Sequence, residues 1–158
     1  MSELRELHSV KACFDTSTTD SAGVSNKTQA AHGLGVYIPK NAVVTKGIVD
    51  VVTGFADGVS DLATIALKIA STGDLVAATT VADATNVWDA GIHGTLIGSP
   101  ILGSDATTAD ACTAILYAAR ISASMVKTTA LCEVTATVGA VTLTAGKLYV
   151  YIEYFISS

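Results

Sequence analysis

Lys147-Leu-Tyr-Val-Tyr-Ile-Glu-Tyr-Phe-Ile156 alternates without a break. Leu148, Val150, Ile152, Tyr154 and Ile156 fall on one side of an extended chain, and Lys147, Tyr149, Tyr151, Glu153 and Phe155 on the other. Period two is the mark of a strand, because successive side chains point to opposite faces. The first set suits a core. The second displays three aromatics on one strand, more than a solvated face ordinarily carries. It is expected to be covered by another sheet, an N-terminal arm or a neighbouring subunit. Tyr149, Tyr151 and Phe155 are therefore the leading candidates for a contact surface.

The same period recurs upstream. Val134, Ala136 and Val138 alternate with Glu133, Thr135 and Thr137, and Gly139-Ala140 and Thr144-Ala-Gly146 supply turn chemistry. Ile65, Leu67 and Ile69 are expected to face inward across a strand over 63–70, with Thr64, Ala66 and Lys68 outward. Strands are also expected over 33–38, about 43–53 and 75–81, with Pro39-Lys-Asn41 as a turn in which Pro presets the first central position. A long connection over 83–109 follows, with Trp88 as its anchor and a short strand at 95–97. Over 111–124, Ala111, Ile115, Ala118 and Ala119 have helical spacing, while Tyr117, Ala119 and Ile121 alternate. A short apolar run is not settled by periodicity, and the strand-rich surroundings favour strand.

Residues 1–32 differ in kind. They are polar, with only His8-Ser-Val-Lys-Ala-Cys-Phe14 strand-like. They read as an extended N-terminal arm that something else must order, with Leu4, Leu7 and Phe14 as its docking residues; the alternative is a frayed terminus. The expected fold is all-β: a jelly-roll-like antiparallel β-sandwich of about eight strands over 33–158, preceded by the arm.

Composition narrows the function. The chain has 158 residues, 50% of them hydrophobic but only 15% charged, and a net charge of −5. Nine basic against fourteen acidic residues leave no electrostatic footprint for nucleic acid. Mean hydropathy is +0.52, yet no stretch approaches the roughly 18 apolar residues of a spanning helix. No apolar signal-peptide core is visible in Met1–Leu7, so synthesis in a cytosol is expected and Asn26-Lys-Thr28 is read as a chance glycosylation match.

Catalytic and metal signatures are weak. Cys13, Cys112 and Cys132 are odd in number and far apart, which argues against disulfides or zinc. Gly139 and Gly146-Lys147 superficially suggest a P-loop, but the spacing is wrong and Leu148 stands where magnesium needs Ser or Thr. Asp57 and Asp61 flank a glycine-containing loop that calcium would accept, but there is no EF-hand spacing and no third carboxylate, so turn formation is the preferred reading. A hydrolase on this sandwich would use His93 with nearby Asp89, and a cysteine–histidine pair could form only through the fold, since no local nucleophile signature is present. Between Lys68 and Arg120 no basic residue occurs while several Asp do, either as turn caps or as an acidic face for a partner. No cofactor is expected.

Several phrases together carry a resemblance: Gly33-Leu-Gly-Val-Tyr-Ile-Pro-Lys-Asn-Ala-Val-Val-Thr45, Ala63-Thr-Ile-Ala-Leu-Lys-Ile69, Gly73-Asp-Leu-Val-Ala-Ala78, Trp88-Asp-Ala-Gly-Ile-His-Gly-Thr95 and Leu143–Tyr154. Over about 33–156 the chain resembles small virion structural proteins of tailed bacteriophages, particularly of aquatic and cyanobacterial hosts. The resemblance implies a capsid cement or decoration protein on the outer surface of the virion. Proteins of this type commonly act as trimers that clamp neighbouring subunits of the major capsid protein. It supplies no catalytic residue. The competing expectation is a tail- or fibre-associated adhesion module that binds host glycans through the 83–109 loops and Trp88.

Overall fold

A computed structural model describes residues 6–59, 61–71, 74–81, 87–95 and 126–157. Eight strands run through them: β1 Leu7–Asp15, β2 Ala31–Ile38, β3 Ala42–Asp57, β4 Thr64–Lys68, β5 Val76–Thr80, β6 Gly91–Thr95, β7 Cys132–Gly139 and β8 Leu143–Ile156. They form two four-stranded sheets, ordered β1-β8-β3-β6 and β2-β7-β4-β5. Every strand pair is antiparallel. The expected all-β antiparallel sandwich is what the chain forms.

The order has a simple origin. β1 pairs β8, β2 pairs β7, β3 pairs β6 and β4 pairs β5. This is a long antiparallel ribbon, with β4 and β5 at its tip, rolled over so that its layers alternate between two sheets. The remaining contacts, β3 to β8 and β4 to β7, close each sheet where the rolled ribbon meets itself.

The inward faces meet in one core. β8 contributes Leu148, Val150 and Ile152, β3 contributes Val44, Val49 and Val51, and β1 contributes Ala12 and Phe14. From the other sheet come Ile38, Ile65, Leu67, Val134, Ala136 and Val138. Burial alternates as read along Lys147–Phe155 of β8, while Ile156 is exposed; in β4 and β7 the expected inward residues are buried, but Ala66 and Thr135, expected outward, are buried as well. Each large aliphatic among them contributes about 1.5–3 kcal/mol by leaving water.

Four expectations need correction. The segment read as an arm is ordered by this same chain: Leu7 to Asp15 lie in unbroken register with Phe155 to Lys147. The sandwich therefore includes residues on the amino-terminal side of the expected boundary at 32/33. Second, Thr144-Ala-Gly146 is not a turn but the start of β8, which already pairs β3 at Leu143. Third, a short strand in the long connection already begins at Gly91 and is seen over Gly91–Thr95, whereas 96–97 of the expected 95–97 strand lie outside the described residues. Fourth, in the Pro39 turn the Ala42 N–H donates to Pro39 O at 3.3 Å, so Pro39 opens the turn and Asn41, at φ 64°, provides the left-handed residue. The segment 111–124, Cys112 and Leu4 lie outside the described residues.

Residues 126–128 flank the beginning of β3. Val44 N–H donates to Val126 O, Asn41 N–H to Thr128 O and Thr128 N–H to Ala42 O, each at 2.9 Å. Thr128, fully buried, also accepts from Ala42 N–H and donates its hydroxyl to Pro39 O at 2.5 Å.

Candidate interaction face

The outward face of the β1-β8-β3-β6 sheet is built from the residues that alternate with its core. Register aligns them in rows across the sheet. Leu7, Phe155 and Val43 form one row, Ser9, Glu153 and Lys46 the second, and Lys11, Tyr151 and Ile48 the third. Cys13, Tyr149, Asp50 and Ile92 form the fourth, and Asp15 and Lys147 the fifth. Ile92 is 75% exposed, Leu7 59% and Tyr151 37%, whereas Tyr149 and Phe155 are half-buried by their neighbours on the face. Apolar side chains open to solvent across several strands are the kind of surface that marks an interaction site.

The charges on this face are balanced. Lys11, Lys46 and Lys147 stand among Asp15, Asp50 and Glu153, in a chain whose net charge is −5. Lys11 Nζ lies 3.7 Å from the centroid of the Tyr149 ring and 5.3 Å from that of Tyr151. Such cation–π contacts are worth about 0.5–1 kcal/mol when exposed. They hold the lysine stem flat along the rings, so the face stays low rather than bristling with charge. Lys147 Nζ meets Asp15 Oδ2 at 2.9 Å. Hydrogen bonds from the Ser17 hydroxyl, the Lys147 ammonium and the Ser17 N–H hold the Asp15 carboxyl down at about 2. The same partner holds the Lys147 ammonium above its ordinary range.

The opposite sheet has a different exterior. Its register brings Ala31 and Ala66 beside Thr137, and Gly33 and Lys68 beside Thr135. Among the described residues its one exposed aromatic is Tyr37, opposite Glu133 on β7, rather than a row of aromatics. Thus the two outer faces are chemically unequal, and the aromatic one is the candidate.

The other sequence candidates separate from it. Phe14, expected at the interface, is completely buried, stacked on Phe55 with centroids 5.8 Å apart. Its place on β1 faces inward, opposite Leu148. Leu7 lies on the open face. Trp88 is 1% exposed, edge-on to Phe55, with Nε1 donating to Thr79 Oγ1 at 2.7 Å. Its ring packs within the core, so it offers no platform for a glycan. His93 Nε2 lies 3.0 Å from the main-chain oxygen of Asp89, a local loop contact. Asp57 accepts the N–H groups of Val59, Asp61 and Ala63, which organises the loop it begins. Asp74 does the same for Ile69, Ala70 and Ser71. Among the described residues no cluster of three or more His, Cys, Asp or Glu side chains is arranged to hold a metal. Asn26 is 3% exposed, with its amide nitrogen donating to Asp15 O and Thr18 Oγ1.

Sequence reasoning missed Ile92 and Val52 on this face. Val52 is 51% exposed. Only the pairing of β6 with β3 reveals that Ile92 continues the tyrosine row.

No family model matches the chain, and no curated protein sequence does. Solved structures do match, over nearly the whole length. A chain in the acid-stable capsid structure of Helicobacter pylori bacteriophage KHP30 aligns with a TM-score of 0.55 and 15% identity, covering 98% of this chain and 92% of that one. A chain of the cyanophage Pam1 capsid asymmetric unit gives 0.55 and 15%, covering 97% and 86%. One in the capsid of Ralstonia phage GP4 gives 0.54 and 18%, covering 100% and 90%. The fold is one found in phage capsids. At these identities the likeness is one of fold, carried by strand order and length rather than by shared surface residues.

Proposed function

We propose that this chain is a non-enzymatic virion structural protein, a cement or decoration protein on the outer surface of a tailed-phage capsid. It bridges subunits of the major capsid protein, and it does so as a homo-oligomer, a trimer. The observation that carries this reading is the near-complete coverage of the chain by chains from three phage capsid structures. The open face with Tyr149, Tyr151, Phe155, Leu7 and Ile92 supplies the contact surface. Its flattened lysines and balanced charges suit close packing against another protein wall. A trimer touching several shell subunits also gains effective concentration without stronger single contacts.

The test is location and assembly together. Imaging of virions carrying labelled protein should place the label over the capsid surface. The purified chain should scatter light as a trimer, bind mature capsids and raise their resistance to heat. A label confined to the tail, or a monomer that leaves capsids unbound, overturns the proposal.

A further inference from the structure

Register decides which backbone groups of the β1-β8-β3-β6 sheet point along its edges. Thr16 N–H donates to Gly146 O at 3.0 Å, and these residues stand opposite each other, one step beyond the Asp15–Lys147 pair. In an antiparallel ladder such hydrogen-bonded pairs alternate with pairs whose N–H and C=O groups point away from the partner strand. The register from Leu7 to Asp15 is unbroken, so Phe14, Ala12, Val10 and His8 bond to β8. Leu7, Ser9, Lys11 and Cys13 turn their backbone groups to the other side. Asp15, next in that series, has the same phase: its main-chain oxygen accepts from Thr18 N–H at 3.1 Å and from Asn26 Nδ2 at 3.0 Å.

Carried across the sheet, the alternation has Tyr149 and Tyr151 bonding to Asp50 and Ile48, and Val49 bonding to His93. Ile92 and Gly94 then direct their N–H and C=O groups away from β3. Val44 N–H, which donates to Val126 O rather than to β8, agrees with this phase. Among the described residues β1 and β6 are the two edges of the sheet. Their edge-pointing groups lie at the same two levels. Cys13 is in the row of Ile92, and Lys11 reaches Gly94 through Tyr151 and Ile48. Three antiparallel pairings separate β1 from β6, so the two edges also run in opposite directions.

We propose that β6 of one copy pairs with β1 of the next, with Ile92 opposite Cys13 and Gly94 opposite Lys11, so that the sheet continues from copy to copy; this rests on the trimer reading above. The contact is head-to-tail, between two different edges, and every strand in it stays antiparallel. The copies are then related by rotation about an axis along the strands, and a third of a turn closes the ring at three. Natural sheets guard their edges with proline, bulges or outstretched lysines. β1 has no proline and no register shift. Its one lysine, Lys11, is folded back over the Tyr149 ring at 3.7 Å. β6 carries no Asp, Glu, Lys or Arg. Within the two paired rows the charges on either side of the seam are opposite: Lys11 on β1, and Asp50 one strand in from Ile92.

Ile92→Cys tests the seam, because Cys13 is already in place. Within one chain the two positions are three strand spacings apart, about 14 Å between α-carbons. A disulfide spans no more than about 7 Å. Across the seam the separation is about 5.5 Å. The Ile92→Cys chain treated with oxidised glutathione should therefore run as dimers and trimers on a non-reducing gel, with nothing larger. Wild type, and Ile92→Cys combined with Cys13→Ala, should stay single chains. Should Ile92→Cys not fold, Lys11→Cys with Gly94→Cys in a Cys13→Ala chain should crosslink in the same way. A variant that scatters light as a trimer without crosslinking overturns the seam and leaves the trimer standing. A wild-type chain that scatters as a monomer overturns the trimer itself. Crosslinks that persist without Cys13, or a ladder running past three, also overturn the seam.

Discussion

The ring of Phe55 lies directly over the α-carbon of Gly146, so closely that a Cβ there would overlap the ring carbons. Gly146 has φ 142°, a backbone conformation that side-chain-bearing residues rarely take. On its other sides Phe55 is stacked with Phe14 and edge-on to Trp88. The glycine in β8 is therefore the floor of the aromatic cluster. Gly146→Ala should cost about 3 kcal/mol, from overpacking and backbone strain together. Urea unfolding measures it. Phe55→Leu in the same chain should recover part of the loss, as a non-additive double-mutant cycle.

Trp88→Ala removes the largest fully buried side chain and leaves the Thr79 hydroxyl without its donor. It should destabilise by about 3–5 kcal/mol. Thermal unfolding should show a large fall in Tm. A variant of unchanged stability would mean the indole is not packed as described.

Thr128→Val keeps shape but removes the hydroxyl that accepts from Ala42 N–H and donates to Pro39 O. The turn between β2 and β3 loses buried partners, at about 1–3 kcal/mol. Hydrogen exchange at Ala42 should accelerate along with the drop in global stability.

Tyr151→Ser and Ile92→Ser act on the open face. Neither side chain belongs to the core, so stability should change by no more than about 0.5 kcal/mol. Binding to capsids should nonetheless weaken, and together the two changes should abolish it, as read by co-sedimentation.

Asp15 supplies the acid dependence. Its carboxyl is lowered from 3.8 to about 2 in the folded chain. The stability it contributes is complete above the unfolded value and is lost as pH falls through that interval. Asp57, lowered by the N–H groups of Val59 and Ala63, adds loss in the same direction. Lys147 works at the other end: its raised value means a contribution present below 10.5 that disappears as pH climbs past the folded value. Asp15→Asn should flatten the acid limb of a denaturant-midpoint profile between about pH 4 and pH 2.

The strands most readable from sequence were those buried on one face and paired on both sides. β4, β7 and β8 each have partners on two edges, and their inward aliphatics are buried, although central Ala66 and Thr135 are covered too. β6 was hidden because it lies at a sheet edge: Ile92 is turned to solvent, and two of its five residues are glycine, so no burial period exists to read. Phe14 was misplaced for a different reason. Its alternation with Lys11 and Cys13 is present in the sequence, but the partner that makes its face an inner one is more than 130 residues away along the chain. Gly146 likewise looks like turn glycine until Phe55 is known to rest on it. The aromatic row of β8 was legible from three residues; its extension across β3 and β6 depends on register, which side-chain pattern alone does not supply.

Leu7 faces Phe155 across the ladder. During synthesis β1 therefore waits, unpaired, until nearly the last of the described residues has left the ribosome, and β3 until then has only short β6 and the 126–128 segment beside it. The β1-β8-β3-β6 sheet has no centre without β8. Folding should accordingly be slow and late, as for β-topologies closed by distant pairings. Nascent chains stopped before residue 143 should stay protease-sensitive, with their apolar segments exposed and in need of a chaperone.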